Sequence, residues 1–148
     1  MRRTTGTDPA FVTLVKQLDE ELVAIYGDVQ VEYAKYNKLE VDTAVVASID
    51  GTPVGCGCFK PFPGDAAAVE LKRMFVAPMH RGEGVARAVM GELEAWAREL
   101  GRAAVVLETG SKQHDAVRLY ERAGYARIPN YPPYDAMALS ICMRKSLG

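Results

Sequence analysis

The stretch "HRGEGVARAV" puts Arg81, Gly82, Glu83, Gly84, Val85 and Ala86 at the mouth of an amphipathic helix. The first turn of a helix has unpaired N–H groups and a partial positive charge, which suits an anion and above all a phosphate. Glycine at 82 and 84 lets the backbone close on such a group with no Cβ in the way. Arg81 adds a fixed charge with forked donors. A Walker A loop is excluded, because no Gly-Lys-Ser/Thr ending follows. A dinucleotide-binding Gly-x-Gly-x-x-Gly starts correctly, and Glu108 stands about where a ribose-binding acid would be. Arg87 occupies the place of the third glycine, which makes that reading a minor alternative.

Other groups that could do chemistry are scattered. Glu70 and Lys72 alternate onto one face of a strand, as an ion pair or as a base with a neighbour. Glu108 ends another strand, where it could act as a base or cap the N–H groups of the "TGS" turn. His80 and His114 read as exposed loop and helix-start residues. No Ser-His-Asp arrangement is present. Three cysteines, Cys56, Cys58 and Cys142, form no framework. They read as buried free thiols in a reducing compartment. A Cys-x-Cys pair with two distant histidines is no zinc pattern, so no metal is expected.

These residues need elements to hold them. Asp8 and Pro9 open a first helix as N-cap and first-turn proline, with Phe11, Leu14, Val15, Leu18, Leu22 and Ile25 on one face and Gly27 at its end. Residues 28–40 fit either a short helix or a loop. "VDTAVVASI", "VGCGCFKPF" and "AVELKRMFV" read as strands, the first two joined by a "DGTP" hairpin turn. Gly55 and Gly57 share one face of the second strand, Cys56 and Cys58 the other. A helix over 82–100 carries Val85, Val89, Leu93, Trp96 and Leu100 as its stripe. "AAVVLE" is a strand covered on both faces. A second amphipathic helix follows with Ser111 as N-cap and Gly124 at its end, and "YARI" and "LSICMRKSL" are the last strands. The order predicts a mixed α/β layer, helices packed on a sheet, with a parallel pair joined by the 82–100 helix near its middle.

With 148 residues, 49% hydrophobic and 25% charged, the chain suits one soluble domain, 1–148. A net charge of −1 argues against general nucleic-acid binding. No apolar run follows the two N-terminal arginines, so neither a leader nor a membrane span is expected.

Arg81-x-x-Gly84-x-Ala86 resembles the pyrophosphate loop of the GCN5-related N-acetyltransferases, and "LKRMFVAPMHRGEGVA" resembles that family's central strand and loop. "QHDAVRLYERAGY" is similar to its second signature, with Ala116, Leu119, Tyr120, Gly124 and Tyr125 in register and Gln113 in place of the usual asparagine. The likeness runs from about Val41 to Lys145. The narrower string that includes "IPNYPPY" and "SICMRKSL" resembles small stand-alone bacterial members.

The resemblance implies the family's fold, in which the parallel pair splays and helices cover both faces of the sheet, and acetyl-CoA as cofactor. Its pantetheine arm would pair with Met74, Phe75 and Val76, and the Val76 N–H would polarise the thioester carbonyl. Loop amides from Arg81 to Ala86 would take the pyrophosphate, with Gln113 contributing a side-chain contact. The reaction is attack of a neutral amine on the thioester, which needs a base and an acid. Tyr120 is the acid, or else an aromatic anchoring helix to sheet. Glu70 is the base, with Glu108 or a water chain as the other candidates.

The acceptor, a small-molecule or peptide amine, would lie against the first helix, the 28–40 segment and the "IPNYPPY" loop, with Tyr33, Tyr36, Tyr131 and Tyr134 as aromatic walls. Lys72 or Arg73 would bind an acceptor carboxylate, only one of them reaching it unless the strand bulges. The loop could equally serve just to cover the sheet. The expected enzyme is a cytoplasmic homodimer joined through its last strands, with neither nucleic acid nor membrane as partner. A non-catalytic acetyl-CoA sensor and a protein-binding subunit are the rival classes.

Overall fold

The structure, a computed structural model, describes residues 1–27 and 40–148. Tyr33 and Tyr36 lie outside the described residues. Seven strands form one sheet: β1 (Arg2–Thr4), β2 (Ala44–Ile49), β3 (Thr52–Pro61), β4 (Ala68–Val76), β5 (Ala104–Gly110), β6 (Ala126–Ile128) and β7 (Ser140–Ser146). Their order is β1-β2-β3-β4-β5-β7-β6. The β4–β5 pair is parallel, and its register runs from Ala68↔Ala104 to Leu71↔Leu107 while β4 itself continues to Val76. Among the described residues the α-helices are α1 (Pro9–Tyr26), α2 (Val85–Glu99) and α3 (His114–Arg122). The chain divides into two compact units, residues 1–59 with 72–93 and residues 60–71 with 94–148.

In the first unit, local chemistry sets α1. The Asp8 side chain accepts the Ala10 N–H at 2.9 Å, Pro9 takes the first helical position, and Gly27, at φ 60°, donates to the Val23 carbonyl. Phe11, Leu14 and Leu18 are buried, while Ile25 is exposed. Asp50 and Gly51 both have positive φ, as a two-residue type I′ hairpin requires. β1 pairs antiparallel with β2 at the sheet edge. It was not expected, since "RRT" offers no alternation to read.

Both faces of β3 are covered within this unit. Cys56 and Cys58 join Phe11, Leu14 and Leu18 of α1 in one apolar cluster. On the opposite face, a Cβ at Gly55 would lie 2.7 Å from Val85, and one at Gly57 would lie 2.9 Å from Leu93 and collide with the Met74 sulfur. The glycines are therefore what allows α2 to lie against the strand.

The second unit holds the β4–β5 ladder, β6, β7 and α3. β7 pairs antiparallel with β5 from Ala104↔Ser146 to Gly110↔Ser140, and β6 closes the edge on β7. Val105, Val106 and Leu107 are all buried, as expected for a strand covered on both faces. α3 begins at His114, with Gln113 rather than Ser111 at the N-cap position. The reason is a tight turn: the Gln113 N–H donates to the Gly110 carbonyl at 3.0 Å, which holds Ser111 outside the helix.

Two glycine substitutions should separate packing from conformation. Gly57→Val overpacks the β3–α2 contact and should cost about 1–3 kcal/mol. Gly91→Ala, on α2 with open space at its Cβ, should stabilise by about 0.5–1 kcal/mol. Urea unfolding of each variant measures both.

Candidate functional site

In the first unit β4 gives way to a single 3-10 turn (Pro78–His80), then the loop, then α2. Gly82 and Gly84 have φ of 82° and 84°, the left-handed region that other residues avoid. α2 starts only at Val85, so both glycines stand outside the helix instead of forming its first turn. They turn the backbone so that the chain enters α2 with its first N–H groups pointing at the loop, the arrangement an anion needs. Glu83, Gly84 and Arg87 are exposed, and Val85 and Ala86 are partly so.

Arg81 differs from expectation. Its Nη2 pairs with Glu21 at 2.6 Å, its Nε donates to the Val76 carbonyl at 2.9 Å, and its guanidinium lies 5.6 Å from the Phe75 ring centre. A forked cation aimed at a ligand was expected. The side chain instead fastens the end of β4, because a carboxylate and a carbonyl both lie within its reach. His80 Nδ1 lies 3.3 Å from the Glu83 carboxylate, poorly aligned for a hydrogen bond.

β4 is irregular. Arg73 has φ 59°, a left-handed residue inside a strand. The carbonyls of Lys72 and Arg73 accept from the thiols of Cys58, at 3.4 Å, and Cys56, at 3.5 Å. Burial first, and Cys58 second, pushes the Cys56 thiol up to about 12, so it stays a donor. Arg73 pairs with Asp19 of α1, so its guanidinium is already matched to a carboxylate of this chain. Phe75 and Val76 are buried, and Met74 is partly buried against Gly57.

The second unit gathers the proton-handling candidates. Glu70, buried at 4% exposure, accepts from the Tyr131 hydroxyl at 2.9 Å, and Lys60 Nζ stands 3.7 Å from its other oxygen. Burial, then Glu70, holds the Tyr131 phenol far above its ordinary value, so it keeps its proton. Phe62 and Tyr134 meet the Tyr131 ring edge-on at 4.8 and 5.8 Å. Tyr134 is almost fully buried, so it is core and no open wall. Glu108 accepts from the Ser140 hydroxyl at 2.8 Å and faces Cys142 across β5 and β7. Tyr120 is buried, its ring edge-on to Tyr125 at 5.9 Å. Burial, then Glu108, raises its phenol above the ordinary value. The Gln113 side chain turns back on its own loop, its Oε1 accepting the Gly110 N–H at 3.1 Å.

One buried charge escaped the sequence reading. Glu94 of α2, 5% exposed, accepts from the Tyr125 hydroxyl at 2.9 Å and from Lys145 of β7 at 2.8 Å. A glutamate inside an otherwise apolar helix face was the signal. Among the described residues no His/Cys/Asp/Glu group could hold a metal, and no helix is long and apolar enough to cross a membrane.

Tyr131→Phe should lower stability by about 1.5–3 kcal/mol, the range for a hydrogen bond to a charged group. Thermal unfolding near pH 7 measures it.

Residues 11–125 match the model of the Acetyltransferase (GNAT) family. An IAA acetyltransferase of Azospirillum brasilense is 35% identical over 98% of this chain and 95% of its own length. A solved structure from Klebsiella pneumoniae, described as an acyl-CoA N-acyltransferase, superposes with a TM-score of 0.80 at 30% identity, covering 99% of this chain and 96% of that one. The acetyltransferase yncA of Salmonella typhimurium, solved with its cofactor acetyl-CoA, shares the fold at a TM-score of 0.61 and 24% identity, over 72% of this chain and 65% of its own. The chain belongs to the GNAT family of acetyltransferases, enzymes whose cosubstrate is acetyl-CoA.

Proposed function

We propose that this chain, acting over 1–148 as one acetyltransferase domain, moves the acetyl group of acetyl-CoA directly onto a primary amine of a small molecule or peptide. The observation that carries the reading is the pair of left-handed glycines, Gly82 and Gly84, set immediately before the N-terminus of α2. The first unit supplies the hold on the cofactor. Loop amides from Arg81 to Ala86 take the pyrophosphate, Met74–Val76 pair with the pantetheine amides, and the Val76 N–H donates to the thioester oxygen.

The transfer also needs proton chemistry. The neutral amine nitrogen attacks the acetyl carbon, a C–N bond forms, the C–S bond breaks, and the sulfur leaves as thiolate. Burial keeps Tyr120 protonated throughout the neutral range, so it is present as the hydrogen-bond donor to the departing thiolate and not as the base. Glu70 receives the proton lost by the amine, passed through the Tyr131 hydroxyl that is hydrogen-bonded to it. Lys72 or Arg73 meets an acceptor carboxylate, Arg73 only in competition with Asp19, its partner in this chain. The enzyme is cytoplasmic, a reading supported by three buried free thiols. It is a homodimer joined along β6, the edge of the sheet.

A thiol-release assay with acetyl-CoA across amino acids, dipeptides, polyamines, arylamines and aminoglycosides should show turnover with one class. Tyr120→Phe should lower kcat by about 10²-fold, and Glu70→Gln by a similar factor. Acetyl-CoA binding with no turnover on any amine would favour a sensor. Light scattering should give twice the chain mass, and a monomer would sink the dimer.

A further inference from the structure

Met74–Val76, the segment that pairs with pantetheine in the proposed function, is bracketed by two arginines that reach the same helix. Arg73, just before it, pairs with Asp19. Arg81, just after it, pairs with Glu21 at 2.6 Å and donates to the Val76 carbonyl at 2.9 Å. Leu18 is buried in the core and Leu22 is packed against it. At 100° per residue, Asp19 and Glu21 fall on opposite flanks of the stripe these two leucines form. α1 therefore grips the segment from two sides through one short piece of helix.

Both grips act where the backbone is least regular. Arg73 is left-handed, and its side chain is only 13% exposed, so its charge requires a nearby carboxylate. Strand pairing alone would not keep an arginine in that conformation. At the other end, the peptide between Val76 and Ala77 is fixed on both sides, its N–H donating to the Val54 carbonyl at 2.8 Å and its carbonyl accepting from Arg81. Ligand amides that pair with a strand gain affinity when the strand is already held in shape.

We propose that Asp19 and Glu21 are positioning residues for the acetyl donor. Through Arg73 and Arg81 they keep Met74–Val76 in the conformation that receives the pantetheine arm, so α1 sets donor affinity without touching the donor. The inference rests on the proposed acetyl-CoA site.

The test is calorimetric binding of acetyl-CoA to the full chain and to Asp19→Asn, Glu21→Gln and Glu92→Gln, with kcat at saturating acetyl-CoA. Glu92 is the control, because its bridge to Arg3, at 2.7 Å in the same unit, does not bracket the segment. Asp19→Asn and Glu21→Gln should each weaken binding about two- to fivefold, the scale of one ion pair, with kcat changed by less than about twofold. Glu92→Gln should bind like the parent. If Asp19→Asn unfolds because Arg73 loses its partner, Glu21→Gln, on the more exposed pair, decides. Unchanged binding in Glu21→Gln overturns the inference and leaves the acetyl-CoA site standing. So does tighter binding, which would mean that Glu21 merely repels the anionic ligand. A parent chain that does not bind acetyl-CoA overturns both.

Discussion

The peptide between Val76 and Ala77 is where a strand stops being a strand, and it is held from both sides. Its N–H belongs to Val54 of β3, and its carbonyl belongs to the Arg81 side chain. A peptide fixed in this way cannot rotate as the chain leaves the sheet, so the direction of the following turn is set. Everything downstream inherits that direction: the 3-10 turn, the two left-handed glycines and the start of α2. The N–H groups of the loop are therefore aimed by a backbone contact several residues earlier, and the glycines supply only the freedom to follow.

β3 makes this possible by being small. Gly55 and Gly57 leave room for α2 on one face, while Cys56 and Cys58 fill the α1 side. The thiols also bond to carbonyls that the left-handed residue at Arg73 directs toward them. A buried carbonyl without a donor is costly, and sulfur is a weak donor that a hydrophobic cluster still tolerates. Alternating glycine and cysteine thus answers two demands at once, close approach on one side and an apolar donor on the other.

Much of this was legible beforehand. The strand over 68–76 matches residue for residue, because its composition and the flanking "PGDA" and "AP" punctuate it clearly. The α1 cap, the I′ turn and the faces of β3 follow from local rules that tertiary contacts did not override. What was hidden depends on partners distant in sequence. Nothing near Arg81 announces that Glu21 will reach it, and nothing near Glu70 announces Tyr131. The sequence points to Ser111 as the N-cap of α3, whereas the turn closed between Gly110 and Gln113 moves that position to Gln113. β1 was missed because three residues carry no period. The glycine spacing marks the loop, whereas its left-handed backbone outside α2 and the use of its arginine do not follow from it.

All three cysteines are buried and free. Burial lifts the thiols of Cys56 and Cys142 to about 12 and about 11, far from the thiolate that reacts with electrophiles. A chromogenic disulfide reagent added to the folded protein would therefore meet almost no reactive protein sulfur. The colour it develops during turnover would come from released coenzyme A, while a slow background that grows on warming would report the fraction of chains opening their cores. The same packing that lets the helices close on β3 gives the protein a quiet baseline and a built-in unfolding indicator.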